Sequence, residues 1–315
     1  MTTLAVAAVG GNALTGQGQK GTPEQLAGNA GEMAVALAAL HRTGTRLVVV
    51  HGNGPQVGNL ALQQESAART IPPQPLHQLC AMTQGQLGSL LVRALDRELG
   101  LGAAVCLVTH VVVDPADPAF ALPTKPIGPS YNERQAKIQA HQWQFAEDAG
   151  RGWRRVVASP YPQRIVELDA LRTLVAAGQV VVAAGGGGIA VQEGTLTGID
   201  AVIDKDHAAT VVALALGAAD LYLLTGVDSV KLDFGAKTQR AVHRMSPTEA
   251  AVHLADGQFA AGSMAPKVAA AIAFVQRGGR RAIITSVGRL AATLLGDPQA
   301  GTVIEQPPAA SRTAS

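Results

Sequence analysis

Short apolar runs alternate along this chain with longer stretches whose apolar residues recur at helical spacing. The runs Leu4–Val9, Arg46–His51, Ala103–Val113, Arg154–Ala158, Gln179–Ala184, Leu221–Thr225 and Arg281–Ser286 read as strands. Between them the pattern predicts helices over Pro23–Arg42, Asn53–Ala68, Leu79–Leu99, Glu133–Glu147, Ile165–Ala177, Asp206–Leu216, Ser246–Leu254 and Pro266–Gln276. Pro23 suits a first helical turn, and Ser246-Pro247-Thr248-Glu249 is a capping-box arrangement. Strands that are apolar throughout and alternate with helices indicate an α/β fold with a mainly parallel sheet.

Two segments break the rhythm. Residues 114–131 are rich in proline and carry no helical period, so a rigid excursion from the sheet is expected there, with a lid as one use for it. Residues 305–315 are polar and read as a disordered tail.

Composition narrows the function. With 315 residues and 47% hydrophobic content the chain can bury a large core. Aromatics make up only 3%, which argues against base-stacking platforms for nucleic acid. The net charge is +2 with no long basic run, so neither nucleic acid nor an anionic membrane is an expected partner. Cys80 and Cys106 lie in apolar stretches without metal-ligand spacing and read as reduced core thiols. The apolar start lacks a charged leader, and no run reaches membrane length, so a cytoplasmic enzyme is expected.

The charge usage is more informative. Seven lysines stand against eighteen arginines, and three of the seven sit among glycines, prolines or acids: Lys125, Lys205 and Lys267. A compact ammonium fits between phosphate oxygens where a planar guanidinium packs differently. Three glycine loops follow strands: Gly10-Gly11-Asn12, His51-Gly52-Asn53-Gly54, and Gly185 through Gly188. Such loops present backbone N–H groups with no side chain in the way, and in a parallel sheet they share its carboxyl edge. Asp204-Lys205-Asp206 places a cation between two acids: an aspartate beside a lysine can hold the ammonium, and Asp206 is a good cap for the helix that follows. Together these residues suggest phosphoryl transfer.

Several other chemistries lose support. The chain has no Gly-x-x-x-x-Gly-Lys-Ser/Thr loop, no protein-kinase signature and no Gly-x-Ser-x-Gly elbow. Its eight histidines form no metal-binding pair at helical spacing, and no metal ligands can be assigned. A Rossmann dehydrogenase would need Gly-x-Gly-x-x-Gly after the first strand, where Gly10-Gly11-Asn12-Ala13-Leu14 stands instead.

The residues resemble the carbamate kinases of the amino acid kinase superfamily from about residue 4 to residue 304. The strings that carry the likeness are Gly-Gly-Asn-Ala-Leu (10–14), His-Gly-Asn-Gly-Pro-Gln-Val-Gly-Asn-Leu (51–60), Ala-Met-Thr-Gln-Gly (81–85) and Val-Val-Val-Asp-Pro-Ala-Asp (111–117). Further along come Pro-Thr-Lys-Pro-Ile-Gly-Pro (123–129), Glu-Asp-Ala-Gly-Arg-Gly-Trp-Arg (147–154), Gly-Gly-Gly-Gly-Ile (185–189), Ala-Val-Ile-Asp-Lys-Asp (201–206), Leu-Thr-Gly-Val-Asp (224–228) and Pro-Lys (266–267). The resemblance implies one three-layer α/β/α domain over 1–304. Residues 1–177 would form the substrate lobe, with a protruding lid near 114–160, and 178–304 the nucleotide lobe.

It further implies carbamoyl phosphate and ADP as substrates, a need for Mg²⁺, a homodimer, and a place in arginine metabolism. Lys125, Lys205 and Lys267 would contact phosphates, and Asp204 would orient lysines. Gly10, Gly11, Asn12, Gly52, Asn53, Gly54, Gly186 and Gly187 would line the substrate side. Thr225, Gly226, Val227 and Met264, with Lys205 and Lys267, would meet the nucleotide. The chain departs from the pattern at Ser89, His110, Ala158, Ala190 and His207. Another small-carboxylate kinase and a catalytically weak nucleotide sensor remain the rival readings.

Overall fold

The computed structural model describes residues 3–16, 18–148, 152–260 and 262–307. Strand β1 (Leu4–Val9) has no polar residue, and its side chains divide between two cores: Val6 and Ala8 enter one, and Ala5, Ala7 and Val9 the other. Successive side chains in a strand point to opposite faces, so an apolar strand needs cover on both sides. In β2 (Arg46–His51) the same division sends Val48 and Val50 one way and Leu47 and Val49 the other.

Both belong to an eight-stranded sheet with β3 (Ala104–Cys106), β9 (Val180–Val182), β11 (Asp220–Thr225), β14 (Arg244–Met245), β15 (Arg281–Ser286) and β16 (Thr302–Glu305). Its order is β14-β16-β15-β11-β1-β2-β9-β3, and every pair is parallel except β15 with β16. On one face lie α2 (Pro23–Arg42), α4 (Leu76–Leu99) and the short α10 (Leu290–Leu294), packing Met33, Leu37, Leu87, Leu91 and Leu290. On the other lie α6 (Leu168–Ala176), α7 (Lys205–Leu216), α8 (Pro247–Ala255) and α9 (Met264–Gln276), packing Leu171, Val212, Ala250 and Phe274. The result is the three-layer α/β/α sandwich that the resemblance implied. No helix among the described residues is long and apolar enough to cross a membrane. Cys80 and Cys106 are free thiols, and burial pushes Cys80 up to about 12.

Three smaller units sit outside the main sheet. Strand β4 (His110–Val113) pairs with β8 (Arg164–Ile165) and β10 (Ile189–Gln192); β12 (Val230–Leu232) pairs with β13 (Arg240–Val242). A three-stranded antiparallel sheet joins β5 (Lys125–Tyr131), β7 (Gly152–Val157) and β6 (Phe145–Asp148), with α5 (Glu133–Gln139) beside it. This sheet seats on α3 (Gly54–Ala67), where a Cβ on Gly58 would land 2.0 Å from the Gly128 nitrogen.

The sequence pattern misplaces some boundaries. The single strand expected over Ala103–Val113 is two strands in two sheets, because Thr109 turns away from the ladder to bond Gln84. The helix expected over Glu133–Glu147 stops at Gln139, and Phe145–Asp148 pairs with β7 instead. The last strand runs through Glu305, opposite Arg281, and residues 308–315 of the expected tail lie outside the described residues.

Candidate active site

Parallel pairing of β11, β1, β2 and β9 brings the loops after them to one edge. Val9 stands opposite both His51 and Leu224, so Gly10 falls between Gly52 and Thr225. The loops close on one another so tightly that side chains would not fit. A Cβ on Gly52 would stand 2.8 Å from the Gly11 nitrogen and 3.1 Å from Lys205 Cδ; one on Gly11 would meet the Gly52 carbonyl carbon at 3.1 Å. The turn over Gly185–Gly187 packs on Asn53, whose Nδ2 would lie 2.3 Å from a Cβ on Gly186. Gly186 and Gly187 have φ of 64° and 88°, and Ala184 enters the turn at 47°, a value residues with a Cβ rarely adopt.

Beside these turns three lysines gather on two carboxylates. Asp204 caps α7, its Oδ1 accepting from the Asp206 nitrogen at 2.8 Å, and its Oδ2 accepts from Lys125 Nζ at 2.5 Å. Asp206 bridges the other two: Lys205 Nζ reaches Oδ1 at 2.5 Å and Lys267 Nζ reaches Oδ2 at 3.0 Å. Residues separated by 79 and 61 positions thus meet at the start of one helix. Three ammonium groups against two carboxylates leave one positive charge, matched to an incoming anion.

The balance of burial and charge differs between members of this cage. Burial pulls the Lys205 ammonium down to about 8, against the opposing pull of Asp206, and the Lys267 charge adds to the drop. Burial alone would raise the Asp204 carboxyl, yet Lys125 and Lys205 outweigh it and hold the group well below the usual carboxylate range. Burial pulls Lys267 down, but the bond to Asp206 and the charges of Asp206 and Asp204 together move it up. Of the two lysines on Asp206, Lys205 alone is pushed toward neutrality, a perturbation common at functional sites.

The remaining expected residues divide. Gly52 lies against Lys205, Gly11 against Gly52, Gly54 against the Pro126 carbonyl next to Lys125, Gly186 against Asn53 and Gly187 against Ile203, while Gly10 precedes, and Asn12 stands in, the short helix α1 (Gly11–Leu14). Thr225 ends β11 next to Gly10, with Gly226 and the exposed Val227 following it, and Met264 opens α9 one turn before Lys267. These four share the edge but make no ion pair with the cage lysines among the described residues.

Comparison with known proteins fixes the family. The chain matches the amino acid kinase family over residues 3–286. The carbamate kinase of Pyrococcus horikoshii is 42% identical over 301 residues, covering 92% of this chain and 96% of that protein. The carbamate kinase of Giardia lamblia bound to citric acid superposes with a TM-score of 0.91 at 38% identity, over 97% of this chain and 99% of that one. The same protein bound to AMP-PNP superposes with a TM-score of 0.86 over the same shares at the same identity. This chain belongs to the carbamate kinases of the amino acid kinase family.

Against that family background, sequence reading misses parts of the site. Asp206 reads as a cap, but Asp204 is the cap and Asp206 bridges two lysines. The roles of the buried polar residues Thr83, Gln84 and Thr109 also escape notice, since each bonds a residue 25 or more positions away. Burial pushes His51 down to about 4, so it stays neutral at ordinary pH. Of the departures from the family pattern, His110 bonds Glu167 through its backbone nitrogen at 2.7 Å and its ring at 2.6 Å, and His207 lies 5.1 Å from the Tyr161 ring. Ala158 and Ala190 are buried, and Ser89 is exposed.

Proposed function

We propose that this carbamate kinase family member catalyses reversible phosphoryl transfer between carbamoyl phosphate and ADP, yielding carbamate and ATP. The observation that carries the reading is the gathering of Lys125, Lys205 and Lys267 on Asp204 and Asp206 beside three glycine turns. An ADP β-phosphate oxygen attacks phosphorus, the bond from phosphorus to the carbamate oxygen breaks, and carbamate leaves with the bonding pair. The acceptor in the reverse direction is already anionic, so no general base is required. The work is then positioning and neutralisation of negative oxygens, which fixed ammonium and N–H groups supply.

On this reading the small acid meets Gly10, Gly11, Asn12, Gly52, Asn53, Gly54, Gly186 and Gly187. The nucleotide meets Thr225, Gly226, Val227 and Met264, and the lysines span the two. Residues 1–177 then act as the substrate lobe and 178–304 as the nucleotide lobe, with the sheet around Lys125 as the lid. The reading also takes the chain to work in the cytoplasm as a homodimer in arginine metabolism.

The family implies Mg²⁺. All four oxygens of Asp204 and Asp206 already accept hydrogen bonds, and no cluster of three or more His, Cys, Asp or Glu could hold a metal among the described residues. This donor set suits an ion that arrives on the nucleotide phosphates, since Mg²⁺ keeps several waters and takes one or two carboxylates at most. Asp204, 16% exposed against 3% for Asp206, is the residue that would hold it. When bound, the ion would supply further neutralisation of the phosphate oxygens.

Luminescent detection of ATP formed from carbamoyl phosphate, ADP and Mg²⁺ tests the proposal. Rapid ATP formation is the expected outcome. Turnover only with another small carboxylate, such as acetylglutamate with ATP, would reassign the substrate. ADP binding with no turnover on any acid would make the chain a sensor.

A further inference from the structure

The string Ala-Met-Thr-Gln-Gly (81–85) has no role in the reading above, yet it puts two buried polar side chains beside the glycine turns. Thr83 and Gln84 are 0% and 1% exposed on α4. Thr83 Oγ1 accepts from Asn53 Nδ2 at 2.9 Å and donates to the Cys80 carbonyl at 2.8 Å. That contact fixes which end of the Asn53 amide faces the helix. Gln84 does for Thr109 what a neighbouring strand would do. Its Nε2 donates to the Thr109 carbonyl and its Oε1 accepts from the Thr109 nitrogen, each at 2.9 Å.

Thr109 passes the constraint on. Its Oγ1 accepts from the Ala184 nitrogen at 3.0 Å, and its carbonyl also accepts from the Ile189 nitrogen at 2.9 Å. Both ends of the Ala184–Gly188 turn are therefore tied to one residue, and that residue is held by Gln84. Adjacent positions on a helix point about 100° apart, so a consecutive pair can serve two loops at once. A satisfied polar pair needed only for folding would not have to touch two separate turns of one site. Between those turns lie His51 Nε2 and Asn53 Oδ1, buried and without a protein partner, against Gly185 and Gly186.

We propose that Thr83 and Gln84 are positioning residues for phosphoryl transfer: α4 uses them to set Asn53 and the Ala184–Gly188 turn at a fixed separation. The inference rests on the functional reading above for its reaction, and on the hydrogen bonds alone for its geometry. The two turns it spans lie on the small-acid side, so losing either side chain weakens use of carbamoyl phosphate and spares use of ADP.

Thr83→Val keeps the shape and removes the hydroxyl. Its kcat/KM for carbamoyl phosphate should fall about ten- to a hundredfold, as small misplacements in an active site do. KM for ADP should stay within about twofold, and Thr83→Ser should recover activity to within about threefold of the parent. If Thr83→Val does not fold, Thr83→Ala removes the same hydroxyl and carries the test.

Gln84→Met should speed amide hydrogen exchange across 184–189 and leave 225–228 unchanged, whether or not the chain turns over carbamoyl phosphate. Parent protein without turnover would sink the functional reading, while exchange would still decide the geometric claim. The proposal is overturned by kinetics of Thr83→Val within about twofold of the parent, by equal losses for both substrates that follow the melting temperature, or by unchanged exchange in Gln84→Met.

Discussion

The main sheet and the small antiparallel sheet each deliver lysine to the same cage, and they do so differently. Lys205 and Lys267 stand at the starts of α7 and α9, helices whose apolar faces are bedded in the core with Val212, Val268 and Phe274. Their side chains are 9% and 12% exposed, and both end on the deeply buried Asp206. Lys125 opens β5, which has strand partners only within the small sheet, and its side chain is 23% exposed.

The building materials differ as well. The main sheet carries one aromatic side chain, Tyr222, whereas Tyr131, Trp143, Phe145 and Trp153 lie in or beside the small sheet, although aromatics are only 3% of the chain. A unit too small for a deep aliphatic core can bury area through a few large rings. Arg155 adds to this, stacking 3.4 Å over Trp143 and bonding Glu65 of α3 at 2.7 Å. Two charges of the cage are thus fixed by the core, and the third depends on how a small sheet is seated.

The largest expected effect comes from the core side of this comparison. Lys205→Ala should stay folded and lose at least roughly a hundredfold in kcat, and Lys205→Arg should also be poor because the fork packs unlike an ammonium. A folded Lys205→Ala enzyme with near-normal turnover would take Lys205 out of the chemistry.

Next comes the seat of the small sheet. Gly58→Ala should drive β5 off α3, since its Cβ meets the backbone of Gly128, itself at φ of 71°. We expect about tenfold lower kcat with a modest fall in melting temperature, as Lys125 is displaced with the sheet. Turnover equal to the parent would mean that the position of Lys125 tolerates reseating.

The gentlest probe is pH. Lys205 titrates at about 8 when folded, below its ordinary 10.5, so above pH 8 the folded chain holds fewer protons than the unfolded one. kcat/KM, which reports the free enzyme, should decline as pH rises through about 8. In kcat the decline should move to higher pH, because bound phosphates favour the charged ammonium. Stability from this group runs the opposite way: the cost of charging it is full below about 8 and is relieved as pH rises toward 10.5. Urea midpoints that fall across that window would contradict the assignment.

Much of the main sheet was legible because burial on both faces leaves uninterrupted apolar runs; Leu4–Val9, Arg46–His51 and Arg281–Ser286 match their strands in full. The break at Leu107–Thr109 was not legible, since it is imposed by Gln84, which lies 25 residues from Thr109. Strand β6 hid in a helix-like run because its partner, β7, decides its conformation. At the site, the lysines stood out by their surroundings. The division of labour between Asp204 and Asp206 did not, because both are sound caps in isolation and only Lys267, arriving from 61 positions away, separates them.

One carboxylate serving two cations makes Lys205 and Lys267 energetically interdependent. Deleting either leaves the survivor with an undivided counter-ion, so the two losses should not sum, and a thermodynamic cycle would expose the difference. Evolution meets the same constraint: neither codon can drift alone without changing the electrostatics of the other.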